Sequence, residues 1–263
     1  MDQPITSFWS IQKVENGIFE QQKDEIVVEF PLTIVVNQEE FATIVCSPSS
    51  LEELAIGFLA SEGIIRSIRD IKSFSIDETR GFIYVELHQK LQNLKENVSK
   101  RFIGSCCGKS RQFYFYNDVK TAKTVMKKVI ISFEQCFQLM EQLKNESTIF
   151  HRTGGIHNGA LCSNEKLIKS FTDIGRHNVL DKIYGFCLKN NIYMGDKVIA
   201  FSGRISSEVL LKVSKMGCGI LLSKSAPTDL ALQLANDLNI TTVGFIRGNK
   251  LNIYTHDERI EKS

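Results

Sequence analysis

The alternation of strand-like and helix-like segments along the second half of this 263-residue chain constrains its fold more than any other feature. From about Gly154 the pattern predicts a strand hairpin and then three helix-strand units. Repeated units of this kind form a parallel sheet with right-handed crossovers and helices on its faces. The predicted hairpin strands are 159–163 and 167–171, the helices 178–189, 206–216 and 228–238, and the later strands 197–201, 219–222, 240–245 and 251–254.

The first half is richer in strands. β-Branched and apolar runs predict strands at 25–36, 41–46, 71–76 and 82–87. The chain is therefore predicted to be an α/β protein, with a strand-rich part over 1–130 and an α/β domain over 131–263.

Two helix starts in this sequence carry a Ser-x-x-Glu/Gln pattern. Ser50 precedes Glu53 and Ser132 precedes Gln135, and each pair predicts a capping box. Gly63 is well placed to end the first of these helices.

The segment 100–111 carries two adjacent cysteines, Cys106 and Cys107, among small and basic residues. No acidic residue occurs from 97 to 117, and Lys109 and Arg111 follow the cysteines closely. Nearby positive charge favours the reactive thiolate, so the segment predicts nucleophilic sulfur chemistry. The plainer interpretation is that both cysteines are small buried apolar residues.

Composition excludes several classes of function. A net charge of +2 gives no field that would recruit nucleic acid, and no apolar run approaches the length of a membrane span. The amino terminus lacks the pattern of a signal peptide. Seven cysteines scattered through well-patterned segments indicate reduced thiols. We therefore expect a cytoplasmic protein that binds neither nucleic acid nor a membrane, with Cys46, Cys136, Cys162, Cys187 and Cys218 in its core.

Three predicted loops, 202–207, 223–227 and 246–250, leave the carboxyl ends of parallel strands, where such sheets bind ligands. They carry Arg204, Lys224, Arg247 and Lys250 beside small or hydroxyl residues. Considered alone, each loop is explained by a residue that caps a helix and by basic side chains on a solvated surface. Together they predict a site for an anionic, nucleotide-like ligand.

A polar cluster over 151–159 and 173–178 lies between the halves. A zinc deaminase would need His-x-Glu and Pro-Cys-x-x-Cys, but Gly159 stands two residues after His157 and the second motif is absent. Zinc ligation by Cys106, Cys107 and a distant histidine stays an alternative, although adjacent cysteines are unusual at zinc sites. The sequence thus predicts no metal and gives no role to His157 or His177.

Several motifs in order give the chain a close resemblance to the FdhD family. They are Thr153-Gly154-Gly155-x-His157, Asp173-Ile174-Gly175-Arg176-His177-Asn178-x-x-Asp181-Lys182, Ser202-Gly203-Arg204, Lys224-Ser225-Ala226-Pro227-Thr228 and Asn252-Ile253-Tyr254-Thr255. The resemblance implies a cytidine-deaminase-like α/β core without catalytic zinc, in a homodimer. It also implies a sulfurtransferase that accepts persulfide sulfur from a cysteine desulfurase. That sulfur goes to the molybdenum (or tungsten) bis-molybdopterin guanine dinucleotide cofactor needed by formate dehydrogenase.

The family resemblance also implies site residues. Many members carry Cys-x-x-Cys before Gly-Lys, whereas this chain has Cys106-Cys107-Gly108-Lys109. Alignment on Gly-Lys makes Cys107 the expected persulfide carrier and leaves Cys106 as a possible partner in a relay. The guanine dinucleotide is expected at the loop made of Phe245, Ile246, Arg247, Gly248, Asn249 and Lys250.

Two other functions fit parts of the sequence. A chaperone could hold the cofactor without handling sulfur. A thiol-disulfide oxidoreductase would also use paired thiols, but the chain lacks a Cys-x-x-Cys at a helix start. The thiol pair favours sulfur transfer over both.

Overall fold

The computed structural model describes residues 3–89, the backbone of 101–103, and residues 122–126 and 129–261. The elements of the first half are β1 (Thr6–Glu15), β2 (Ile18–Val27), β3 (Phe30–Val36), β4 (Glu39–Cys46), α1 (Leu51–Ser61), β5 (Ile71–Asp77), β6 (Phe82–Leu87) and β7 (Arg101–Ile103). A 3-10 turn at Ile68–Asp70 precedes β5.

The second half alternates strands and helices. Its elements are β8 (Ile131–Ser132), α2 (Phe133–Glu146), α3 (Thr148–Thr153), β9 (His157–Cys162), β10 (Leu167–Asp173), α4 (Arg176–Lys189), β11 (Val198–Phe201), α5 (Ser207–Met216), β12 (Ile220–Ser223), α6 (Asp229–Asp237), β13 (Thr241–Arg247), β14 (Lys250–Thr255) and β15 (Ile260–Glu261). Among the described residues, no helix has both the length and the apolar character needed to cross a membrane.

A six-stranded sheet in the order β10-β9-β11-β12-β13-β14 forms the centre of the second half. The predicted α/β class is confirmed. The three central strands β11, β12 and β13 run parallel, while β9, β10 and β14 are antiparallel to their neighbours. The sheet is therefore mixed. The predicted parallel arrangement holds only for the strands that the crossover helices α5 and α6 join.

Helices cover both faces of this sheet. On one face α2 packs over a core that includes Cys136, Met140 and Ile246. On the other face α4, α5 and α6 share a second core with α1 and a five-stranded sheet of order β5-β6-β3-β4-β7. This second core takes side chains from both sides of the predicted boundary at residue 130.

Two glycines allow α1 and α4 to cross in backbone contact. A Cβ atom added at Gly57 of α1 would collide with the carbonyl group of Asp181, and one added at Gly185 of α4 would collide with the carbonyl group of Glu53. No other residue type fits at these positions without moving a helix. The crossing therefore joins the helix of the first half directly to the second half.

The predicted helix ends are confirmed in two of three cases. Ser132 and Gln135 form the expected capping box at the start of α2. Gly63 follows α1 with φ 74°, and the amides of Gly63 and Ile64 bond to the carbonyls of Ala60 and Leu59, which is a Schellman motif. The capping box at Ser50 is wrong. Ser50 has φ 49° and its side chain makes no cap hydrogen bond, because an N-cap residue needs an extended backbone.

The hairpin β1–β2 was not predicted from the sequence. Its strands pair in a ten-residue antiparallel register, and Trp9 and Phe19 are 65% and 66% exposed. The predicted strand 25–36 is divided between β2 and β3 by an interruption at residues 28–29. Because both faces of the hairpin carry mixed polar and apolar side chains, its sequence lacks the alternation that marks a half-buried strand.

Candidate functional site

A cavity of about 780 Å³ opens at the edge of the six-stranded sheet where β11, β12 and β13 end. Its walls come from α2, α3, the residues entering β9, and the loops after the three parallel strands. This is the edge at which α/β sheets bind ligands, because the loops converge there. The cavity is large enough for a nucleotide-sized molecule.

Positive charge is concentrated at this cavity. Lys144, Lys224 and Arg247 line it, and the Arg247 Nε donates a hydrogen bond to the Lys224 carbonyl oxygen at 3.2 Å. Burial lowers the pKa of Lys224, and the charges of Lys144 and Arg247 lower it further, while the Glu141 carboxylate raises it. Lys144 and Arg247 therefore each act unfavourably on the charge of Lys224, and an anionic ligand at this position would offset that effect.

The structure places the predicted cofactor-binding residues in two groups. Lys224, Ile246, Arg247 and Gly248 line the cavity. The other four lie outside its lining and are exposed, namely Arg204, Phe245, Asn249 and Lys250.

The division within the loop 245–250 follows from the backbone of β13. Phe245 has φ 52° and a side chain 41% exposed, whereas Ile246 is only 2% exposed. The register with β14 shifts between Gly244 and Arg247, and Arg247 then pairs with Lys250 across the turn. This irregularity directs Ile246 into the core and leaves residues 248–249 as a hairpin turn.

Polar groups at the entry to β9 complete the cavity wall. The Asn158 amide donates to the Ser202 Oγ, and the Ser202 amide donates to the Asn158 carbonyl, both at 2.9 Å. The Asn158 Oδ1 is buried and has no hydrogen-bond partner in the part of the chain that is described. Burial lowers the pKa of the neighbouring His157, and the positive charge of Arg176 lowers it further. Both effects favour the neutral form of the His157 imidazole, which lines the cavity.

The motif 173–178 holds the start of α4 in place. The Asp173 carboxylate accepts hydrogen bonds from the amides of Ser47 and Gly175 at 3.1 and 2.8 Å and from the Asn178 side chain at 2.8 Å. Lys182 lies 2.7 Å from the same carboxylate. These contacts hold the motif in place without a ligand, because both oxygens of the buried carboxylate have hydrogen-bond partners.

His177 lies beside α5 and outside the cavity lining. Its Nε2 is 2.9 Å from the Glu208 Oε2. Burial lowers the pKa of His177, although Glu208 opposes this effect. The pair joins the amino-terminal turns of α4 and α5.

Cys106 and Cys107, together with Lys109 and Arg111, lie outside the described residues. The described chain on either side is anchored at two points. β7 pairs with β4, and the Lys123 amide donates to the Ser214 Oγ of α5 at 2.9 Å.

The five described cysteines are all buried, as predicted. Burial raises the pKa of Cys136, Cys162 and Cys187 to about 12 and that of Cys218 to about 11, and it also raises the pKa of Cys46. Buried thiols of this kind are unreactive. Within the described residues, no three His, Cys, Asp or Glu side chains are placed to hold a metal ion.

Two cavity residues of α2, Glu141 and Lys144, were missed by sequence reasoning. The start of the helix was predicted from the capping pattern of Ser132 and Gln135, but its polar face gave no sign that it meets the loops after β12 and β13. An acidic and a basic residue three positions apart are common on any solvated helix, so no signal was available.

Comparison with known proteins gives consistent matches over almost the whole chain. Residues 27–261 match the family model described as the FdhD/NarQ family. The chain is 59% identical over 250 residues to the sulfur carrier protein FdhD of Geobacillus kaustophilus, covering 95% of each chain. It is 53% identical over 262 residues to the sulfur carrier protein FdhD of Bacillus subtilis, covering 100% of each.

A solved structure shares the fold. The crystal structure of a candidate formate dehydrogenase accessory protein from Desulfotalea psychrophila matches with a TM-score of 0.81 over 98% of this chain and 100% of that one. The two sequences are 22% identical, so this match bears on the fold alone.

Proposed function

This chain belongs to the FdhD/NarQ family, and on that premise we propose that it is a sulfur carrier protein for formate dehydrogenase maturation. In this proposal a cysteine desulfurase supplies persulfide sulfur to Cys107. The carrier then passes the sulfur to the molybdenum of a bis-molybdopterin guanine dinucleotide cofactor, which is bound as cargo. We further propose that the protein acts as a homodimer in the cytoplasm.

The observation that carries the cargo part of the proposal is the cationic cavity at the carboxyl edge of the sheet. Lys224 and Arg247 supply charge for the phosphates of the guanine dinucleotide, and arginine can bind a phosphate through two hydrogen bonds. The aromatic side chains Phe137 and Phe150, which line the cavity and are not fully buried, supply a wall for flat rings. A dinucleotide with a charged centre and planar ends suits this combination.

The sulfur part of the proposal is supported by the relatives and by the state of the other thiols. The described cysteines are buried and have raised pKa values, so none of them suits nucleophilic attack. In the proposed step, the Cys107 thiolate attacks the outer sulfur of the donor persulfide. The donor sulfur-sulfur bond breaks, the donor leaves as a thiolate, and Cys107 holds the persulfide.

A chaperone that holds the cofactor without handling sulfur is the second candidate. The cavity favours it as much as it favours the carrier, because the described cavity walls contain no cysteine. Only a test of the thiols separates the two functions.

The experiment is mass spectrometry of the protein after incubation with a cysteine desulfurase and cysteine. The carrier is expected to gain the mass of sulfur on the peptide that contains Cys106 and Cys107, and a reductant should remove it. A Cys187→Ala variant, which removes a buried thiol, should load normally. Unmodified Cys106 and Cys107 in a protein that still supports formate dehydrogenase activation would favour the chaperone.

A further inference from the structure

The cavity wall made by α2 carries an ion pair at the cationic end. The Lys144 Nζ lies 2.7 Å from the Glu141 Oε1, and both residues line the cavity. Their side chains are 46% and 59% exposed. The pair is therefore accessible to a ligand that enters the cavity.

Lys144 lines the same cavity as Lys224 and Arg247, which lie on two of the three loops predicted to bind an anionic ligand. All four of Glu141, Lys144, Lys224 and Arg247 line the cavity. Burial lowers the pKa of Lys224, the charges of Lys144 and Arg247 lower it further, and Glu141 raises it. Three of the four are cations and one is a carboxylate. The His151 ring nitrogen contacts the Lys144 carbonyl oxygen at 3.0 Å and links α3 to the end of α2 near this group.

We propose that Lys144 is a third phosphate-binding residue of this cavity, and that Glu141 occupies its ammonium group until an anionic ligand displaces the carboxylate. The ligand class is a nucleoside diphosphate or the equivalent part of a dinucleotide. This inference rests on the proposed function, because it concerns the same cargo site.

The physical basis is the difference between the two partners that Lys144 can have. An exposed ion pair between residues three apart on a helix is weak, since water competes for both charges. A phosphate held at the same time by Lys224 and Arg247 offers more charge in a fixed position, so its hydrogen bonds to Lys144 are stronger. It is then favourable for Lys144 to give up its ion pair with Glu141 and bind the phosphate. Glu141 lowers ligand affinity, because it competes for Lys144 and repels the incoming anion.

Calorimetric titration with GDP and with guanosine tests this inference. Lys144→Gln should weaken GDP binding about three- to tenfold, which is the range for one partly exposed charged contact. Glu141→Gln should strengthen GDP binding about twofold or more, because the competing carboxylate is gone. Neither change should alter the affinity for guanosine, which has no phosphate. A variant that fails to fold would bind both GDP and guanosine more weakly, so the guanosine titration distinguishes loss of the fold from loss of a phosphate contact.

Two substitutions in the turn between β9 and β10 serve as matched controls. Lys166→Gln and Glu165→Gln make the same changes of charge on exposed residues outside the cavity lining, and GDP affinity should stay at the wild-type value. Equal GDP affinity of wild type and Lys144→Gln, with weaker binding by Arg247→Ala, would overturn the role of Lys144 and leave the proposed function standing. Weaker GDP binding by Glu141→Gln would overturn the masking role. A wild-type protein that binds no GDP would overturn the cargo site itself.

Discussion

The carboxylate of Asp173 and the ammonium group of Lys182 lie 2.7 Å apart, and neither side chain is exposed to solvent. The same carboxylate also accepts the Ser47 amide, so it ties the chain after β4 to the start of α4. Lys182 donates in addition to the Thr172 carbonyl oxygen at 3.0 Å. Breaking such a pair leaves one charge buried without its partner, which costs far more than the pair gains by forming.

Replacement of Lys182 is therefore expected to be severe. Lys182→Met should lower the free energy of unfolding by about 3–5 kcal/mol, as measured by urea denaturation. Lys189→Met is the control, because Lys189 pairs with Glu52 and Glu53 while remaining partly exposed, and it should cost about 1 kcal/mol. Similar losses of unfolding free energy in the two variants would show that the buried pair contributes no more to stability than the partly exposed one.

The glycine crossing predicts a second large effect on stability. Gly57→Ala should lower the free energy of unfolding by about 3 kcal/mol or more, because the new methyl group meets the Asp181 carbonyl group. Gly17→Ala, in the turn between β1 and β2, meets no atom and should cost only about 1–2 kcal/mol for its φ of 82°. Denaturation curves of the two variants decide this, and equal costs would mean that α1 and α4 separate easily.

Cys107→Ala should abolish sulfur transfer and leave the fold intact. Cys106→Ala should have a weaker effect, because Gly108 and Lys109 adjoin Cys107. The readouts are persulfide loading by mass spectrometry, formate dehydrogenase activation, and circular dichroism for the fold. Full activation by the Cys107 variant would remove this residue from the mechanism.

Arg247→Ala should weaken GDP binding by about 1–3 kcal/mol, the usual cost of losing a charged hydrogen-bond partner. Lys250→Ala changes another exposed cation that lies outside the cavity lining, and its effect should be much smaller. Persulfide loading on Cys107 should survive both changes. Calorimetry would contradict the cavity assignment if Lys250→Ala were the weaker binder.

Stability should depend on pH through His177. Burial lowers the pKa of this imidazole in the folded protein, so the unfolded chain takes up the proton first as the pH falls. The contribution of neutral His177 is complete above its unfolded pKa of about 6.5 and is lost as the pH falls through the folded value. His177→Gln should therefore lose less stability than wild type between about pH 7 and pH 5. His88→Gln, which replaces an exposed histidine, should follow the wild-type curve in denaturant titrations; a wild-type-like slope in His177→Gln would contradict the prediction.

The sequence predicted the elements whose signals are local. The helix caps at Ser132 and Gly63 depend on residues within one turn, and the alternation after Gly154 reflects units that each span only a few tens of residues. These predictions are confirmed because nothing distant changes them. The capping box predicted at Ser50 is wrong. Three residues earlier the Ser47 amide donates to the Asp173 carboxylate, a tertiary contact that the local capping pattern does not include.

The sequence predicted only part of the candidate site. The topology of the sheet fixed where the loops carrying Lys224 and Arg247 would meet, since the carboxyl ends of parallel strands share one edge. It did not fix which helix would cover that edge. Apolar periodicity identifies the buried face of α2 but does not specify the strand ends that its polar face approaches, so Glu141 and Lys144 could not be placed.

Backbone contact between α1 and α4 limits how this protein can move. Hinge-and-shear closure in many proteins works by small sliding of packed helices, which side chains at the interface absorb by changing rotamer. At Gly57 and Gly185 there are no side chains to adjust, and a shift of one helix along the other brings a neighbouring side chain against a carbonyl group. If the proposed cargo enters and leaves this cavity, we expect the movement in the loops after β11, β12 and β13, with the paired helices as a fixed support.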